Sequence, residues 1–408
     1  MLYDAYEVQR SLLAGASRLA GLGASWLNNP ANPFGYLSIG PVAAASLEVF
    51  AHAAAPHGKP DFGIATVKVG DRMVPVSEEI VARHPFGQLK HFVKKGVTGQ
   101  EKLLIVAPMS GHYATLLRGT VERLLPSHDV YITDWRDAKQ VPLEDGSFDL
   151  DDYVDYLVGW LRDIKGKGER AHMLAVCQPS VPALAAAAVM AKANDPARPK
   201  SLTMMGGPVD TRKAPTAVNT LATQRPHSWF QNNVIATVPM IYDGAGRKVY
   251  PGFLQLAGFM TMNLGSHLMS HWEMFKHLVV GDDESADATR EFYDEYRSVC
   301  DMTAEFYLQT IDVVFQRHLL PKGEYLHHGK KVDVGAIKDI ALLAIEGERD
   351  DISGIGQTKA ALDIATHLPR DKKQYLLAKD VGHYGIFNGR KWRERIAPVV
   401  EKFIAAHA

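Results

Sequence analysis

Short, almost wholly apolar runs bounded by polar turns alternate along this chain with stretches in which apolar residues recur every three or four positions. "KLLIVAPM" (102–109), "HDVYITDW" (128–135), "AHMLAVC" (171–177) and "SLTMMGG" (201–207) are runs of the first kind and predict buried strands. "GHYATLLRGTVERLL" (111–125), "FDLDDYVDYLVGWLRDI" (148–164) and "QPSVPALAAAAVMAKA" (178–193) carry the helical period. Strands alternating with helices predict βαβ units and a mostly parallel sheet, an α/β fold.

The alternation stops near Pro208. Up to about Lys338 the sequence predicts helices and loops rich in Trp, Tyr, Phe, His and Met, after which "IALLAIEG" (340–347) and "KQYLLAK" (373–379) supply two more strands and "KWRERIAPVVEKFIAA" a last helix. The simplest organisation is a sheet core from 1–207 and 339–408, interrupted by a helical cap over 208–338. An N-terminal helical extension occupies about 1–60, where Leu12, Leu13, Leu19 and Leu22 fall at helical intervals. Such a face is expected to pack on its own core, with docking on an apolar surface as the alternative.

Composition narrows the function classes. Lys and Arg number 45 against 46 Asp and Glu, so no global basic field is present to attract nucleic acid. Two cysteines, Cys177 and Cys300, build neither a disulfide framework nor a zinc cluster and suit a reducing compartment, with the cytoplasm as the expectation. The first residues lack a basic leader, and no apolar run reaches the roughly 20 residues that span a bilayer. Metal and nucleotide cofactors are not expected. His327 and His328 are adjacent rather than spaced for one helix face, "GSHLMSH" lacks an HExxH glutamate, and neither a G-x-G-x-x-G after a strand nor a P-loop occurs.

The chemistry centres on "AVCQP", 175–179. A nucleophile elbow is normally written G-x-S-x-G on a sharp strand-to-helix turn; here Ala175 keeps one flank small, a thiol replaces the hydroxyl and Pro179 replaces the second glycine. The N-terminus of the following helix would stabilise a thiolate. Taken alone, Cys177 reads more readily as a small core residue. The elbow's partners decide between the two. In an α/β-hydrolase the order is nucleophile, acid, histidine, each after a strand, and "ERDDISG" follows one late strand while "DVGHYGIFNG" follows the last. Asp350, with Asp351 as the alternative one residue on, is the acid that orients His383, the general base. The oxyanion hole would use the backbone N–H groups of Gln178 and of Met109, with Ser110 as the alternative to Met109. Met and aromatic residues crowd the cap, either as its own core or as an apolar binding surface; Trp229, Tyr242, Phe253 and Trp272 are the binding candidates.

With "AVCQPSVP" (175–182), "LHHGKKVD" (326–333), "EGERDDISGIGQT" (346–358) and "GHYGIFNGRKWR" (382–393), the chain resembles the intracellular poly(3-hydroxybutyrate) depolymerases over most of its length. The resemblance implies a Cys177–His383–Asp350 triad and a cytoplasmic enzyme on the surface of polyester storage granules. Hydrolysis would pass through an acyl-thioester, and coenzyme A is a second conceivable acceptor for it. Alternatives are a polyhydroxyalkanoate synthase-like acyltransferase and a non-catalytic granule-binding protein. Monomer preference, endo or exo action, and whether the chain forms a homodimer stay open.

Overall fold

The computed structural model describes residues 2–29, 31–32, 40–55, 58–166, 168–262, 294–295 and 297–408. Nine strands make one sheet: β1 (Thr66–Val69), β2 (Arg72–His84), β3 (Gly87–Lys94), β4 (Lys102–Val106), β5 (Asp129–Trp135), β6 (His172–Val176), β7 (Ser201–Met205), β8 (Ala341–Gly347) and β9 (Lys373–Ala378). Their order across the sheet is β1-β2-β3-β5-β4-β6-β7-β8-β9. The first three pairings from β1 are antiparallel and those from β5 through β9 are parallel. This is the α/β-hydrolase architecture: one parallel sheet, with an antiparallel hairpin on one side and the switch of β5 and β4 beside the central strand.

The six strands expected from apolar runs are all present. β6, β7 and β8 are buried at every position, as parallel strands covered by helices on both faces must be. The helix after β6, Ser180–Lys192, brings its backbone close to the sheet because Ala183 and Ala185 to Ala188 are fully buried and add little bulk. A larger residue at any of these positions would overpack the layer by roughly 1–3 kcal/mol.

Two expectations need correction. The segment between β7 and β8 is not wholly helical. Besides the helices Ala217–Gln224, His227–Asn233, Gly252–Met262 and Ala304–Thr310, it contains a small antiparallel sheet of Ala236–Thr237, Lys248–Tyr250 and Met302–Thr303, and a hairpin of Leu326–His327 with Lys330–Lys331. These strands are two or three residues long, too short to carry a period. The N-terminal helix Leu2–Leu27, which we call α1, also turns the other way from the expected face. Tyr3, Ser17, Ala20 and Ala24 face inward, while Leu12, Leu19, Leu22 and Trp26 are 56–71% exposed. Small residues allow the close approach: α1 packs on α2 (Gly40–Ala54), where a Cβ on Gly23 would stand 3.1 Å from Leu47, and Ser17 donates to the Ala51 carbonyl.

Candidate active site

β6 ends at Val176, and the chain turns sharply into the helix that begins at Ser180. Cys177 sits in the turn with φ of 65°, the left-handed region that an L-residue enters only when its surroundings compel it. The compulsion is visible in the hydrogen bonds, since Cys177 donates its N–H to the Met205 carbonyl at 2.7 Å and accepts from the Ser180 N–H at 3.0 Å. Space for the turn comes from the end of β7. A Cβ on Gly207 would lie 2.0 Å from Ser180 Oγ and 3.0 Å from the Cys177 carbonyl oxygen, so only glycine fits there.

His383 follows β9 and lines the same cavity as Cys177. Its Nδ1 donates to Asp350 Oδ2 at 2.8 Å, and both side chains are almost fully buried, 5% and 1% exposed. Burial alone would push the imidazole toward its neutral form. Electrostatic interaction with Cys177 and Asp350, together with the hydrogen bond to Asp350, outweighs that and holds it well above the ordinary histidine range. The other carboxylate oxygen, Asp350 Oδ1, accepts from the N–H groups of Ile352 and Ser353 at 2.9 and 2.8 Å. Of the two adjacent acids, Asp350 meets the histidine, while the Asp351 side lies exposed.

Glu346 organises the loop that presents Asp350. Near the end of apolar β8 and 1% exposed, it accepts from the N–H groups of Gly356, Thr358 and Lys359 and from the Tyr375 hydroxyl, all at 2.8–2.9 Å. Thr358 in turn accepts from the Gly207 N–H at 2.8 Å, which ties the acid loop to the glycine behind the elbow. Sequence reading missed Glu346, Thr358 and Gly207. The available signal was one carboxylate inside an otherwise apolar run, since an acid in a buried strand must find partners.

Met109 follows β4, and its backbone N–H points to the turn that carries Cys177, where it meets the side chain of Gln178. Ser110 lies beside it on the cavity wall. Gly111 adopts φ of 97°, and a Cβ there would come within 2.6 Å of Gln255 Oε1. The Gly111 carbonyl accepts from the Cys300 N–H at 2.7 Å, joining this loop to the chain that returns from the cap.

Above Cys177 and His383 opens a cavity of about 410 Å³. Its roof is apolar: Val218, Leu221 and Ala222 from one helix, Phe230 from the next, then Tyr250, Met302, Phe306, Tyr307, Ile311 and Phe315. The expected binding aromatics are placed differently. Trp229 precedes the lining Phe230 but lies outside the cavity wall; Tyr242 bonds to Arg10 of α1, and Phe253 stacks on Tyr6 of α1. Trp272 lies outside the described residues. Aromatic content marked the right segment, but the chain's route through it decides which rings face the site.

The two histidines rejected as a helix-face pair do converge. His327 Nε2 and His328 Nε2 reach the two oxygens of Asp155 at 3.0 and 2.6 Å, fastening the hairpin to the helix Leu150–Gly166. The ligand atoms of the three lie within 4.8 Å of one another, so among the described residues this is a group able to hold a metal ion. Cys177, Asp350 and His383 lie elsewhere, after the ends of β6, β8 and β9. No helix among the described residues is long and apolar enough to cross a membrane.

Residues 206–408, which include the cap, Asp350 and His383, match the family model described as "PHB de-polymerase C-terminus". This part of the chain belongs to the PHB depolymerase family. The family is one of ester hydrolases, in keeping with the fold. No curated protein matches the sequence. Among solved structures, the chain is similar to a monoacylglycerol lipase of Paleococcus ferrophilus, at 11% identity and a TM-score of 0.45, covering 76% of this chain and 97% of that one. It is also similar to an esterase of Thermogutta terrifontis, at 13% identity and a TM-score of 0.42, covering 84% and 97%. The assignment of fold stands on the strand order and not on these distant likenesses.

Proposed function

We propose that the protein hydrolyses the ester bonds of stored poly(3-hydroxybutyrate), with Cys177 as nucleophile, His383 as general base and acid, and Asp350 as the group that orients the imidazole. The observation that carries this reading is a thiol on a left-handed elbow that shares the wall of an apolar cavity with a buried His–Asp pair, beneath a roof of residues from the matched family segment. The lining suits a chain of short apolar repeats and offers little to a charged or sugar substrate.

The Cys177 thiolate attacks an ester carbonyl, and the resulting oxyanion is received by the backbone N–H groups of Gln178 and Met109. Collapse breaks the ester C–O bond, and the His383 imidazolium gives its proton to the departing 3-hydroxyl oxygen. Water then enters, His383 takes its proton, the hydroxide adds to the thioester carbonyl and the thiolate leaves. Throughout, Asp350 holds Nδ1 so that the other ring nitrogen faces the reaction. A thioester also exchanges with thiols, so coenzyme A is a second acceptor in this proposal, which would release a hydroxyacyl-CoA in place of the acid.

Docking on the granule, away from any membrane span, is the proposed location of the work. The outward leucines of α1 support it, being a row of large apolar side chains carried on a helix whose inner face is small. The test is release of 3-hydroxybutyrate and its oligomers from amorphous polymer granules, with and without coenzyme A. Wild-type protein should release them and Cys177→Ala should lose at least about 10³-fold of the rate. An active Cys177→Ala protein, or polymer gain from hydroxybutyryl-CoA in place of polymer loss, would overturn the reading. Identical free-acid products in both mixtures would remove the coenzyme A branch.

A further inference from the structure

The Met109 N–H, one of the two donors assigned to the oxyanion, already has an acceptor. It donates to Gln178 Oε1 at 3.3 Å, and Gln178 is the residue whose own N–H is the other donor. A carbonyl oxygen of the protein thus occupies a bond that an ester carbonyl needs. We propose that the Gln178 carboxamide is a resident stand-in for the substrate carbonyl: it closes the oxyanion hole while the site is empty and swings out as the acyl group enters. The inference rests on the nucleophile and hole assigned above.

Three features support it. Met109 is 5% exposed, so without a partner its N–H would be a buried, unsatisfied donor. Gln178 is only half-buried and lines the cavity, which leaves its side chain room to move. The bond is also long and between neutral groups, near the weak end of the range for amide donors.

The arrangement separates ground state from transition state. An incoming ester carbonyl exchanges one neutral bond for another and gains little from the hole. The tetrahedral oxyanion forms charge-assisted bonds roughly twice as strong. Gln178 therefore lowers apparent affinity for substrate, because free enzyme must open before it binds, and it has no part in the barrier once the hole is occupied.

The experiment compares the full-length wild type with Gln178→Met, which keeps length but loses the strong acceptor, and with Gln178→Ala. Hydrolysis of the soluble ester p-nitrophenyl butyrate gives kcat and KM separately, and thermal melting verifies that each variant is folded. KM should fall about fivefold in both variants, the weight of one neutral hydrogen bond, with kcat changing by less. An unchanged KM in the folded Met variant overturns the proposal. So does a loss of kcat at constant KM, which would make the carboxamide a donor to the oxyanion. Cys177→Ala keeps the two questions apart: if it still turns over the ester, the assignment of the nucleophile fails and the stand-in fails with it.

Discussion

The chain's two cysteines occupy opposite environments, and the contrast shows why only one of them is proposed as the nucleophile. Cys177 sits on a strained turn at a helix N-terminus, on the wall of a cavity that His383 also lines. Cys300 is 1% exposed, donates weakly to the His112 carbonyl, and is pushed well above the ordinary thiol range by burial first and then by the nearby Asp137 and Asp301. Both could be called small core residues from composition alone. Backbone conformation and the partner ring, not the residue type, separate them.

The sharpest way to break the contrast is to remove what orients the ring at Cys177. Asp350→Asn should lower kcat/KM by about 10²–10⁴-fold, because the imidazole loses its fixed tautomer. Asp351→Asn should stay within about twofold on the same soluble ester; equal losses in both variants would return the acid to dispute.

Accessibility gives the next effect. One equivalent of iodoacetamide on the native protein should abolish ester turnover and label Cys177, read by peptide mass, while Cys300 is labelled only after unfolding. Cys300→Ala should leave the inactivation unchanged.

The backing of the turn is third. Gly207→Ala places a methyl group against Ser180 and the Cys177 carbonyl and should destabilise the fold by about 1–3 kcal/mol by denaturant titration, with activity lost beyond that because the elbow shifts. Gly146→Ala, whose added Cβ would meet open space, should cost less, from its positive φ alone.

The smallest effect is a titration. The His383 imidazole is held above its usual value, so the ion pair stabilises the fold fully below about pH 6.5 and the contribution is lost as pH rises through the raised value. Removing the Cys177 side chain in Cys177→Ala should lower the imidazole's midpoint in an NMR titration. The gap in melting temperature between wild type and variant should be wider at pH 6 than at high pH. A midpoint that does not move would mean that Asp350 alone holds the proton.

Legibility in the sequence followed burial. The strands β4 to β9 could be read because parallel strands under two helical layers are apolar at nearly every position, and the proposed triad residues could be placed because they follow β6, β8 and β9. The antiparallel β1, β2 and β3 went unread. β2 exposes both faces over much of its length and carries the pair Glu78–Glu79, so it shows no alternation. In α1 the rule that large apolar residues face inward failed, because the packing there depends on Ala, Ser and Gly. At the site, the elbow's room comes from a glycine on another strand, and the acid loop's shape from Glu346. Such dependencies between distant positions leave no local pattern.

The strand order has a consequence for timing. Cys177 is synthesised well before the acid and the base, and the whole segment from 208 to 340 must emerge before β8 can pair with β7 and β9 with β8. A chain still being made can fold β4, β6 and β7 and form the turn at Cys177, but it has neither Asp350 nor His383 to equip the thiol. On the proposed mechanism, competence arrives only once the last two strands close the sheet's edge, and a product interrupted before them would carry the thiol without its proposed partners.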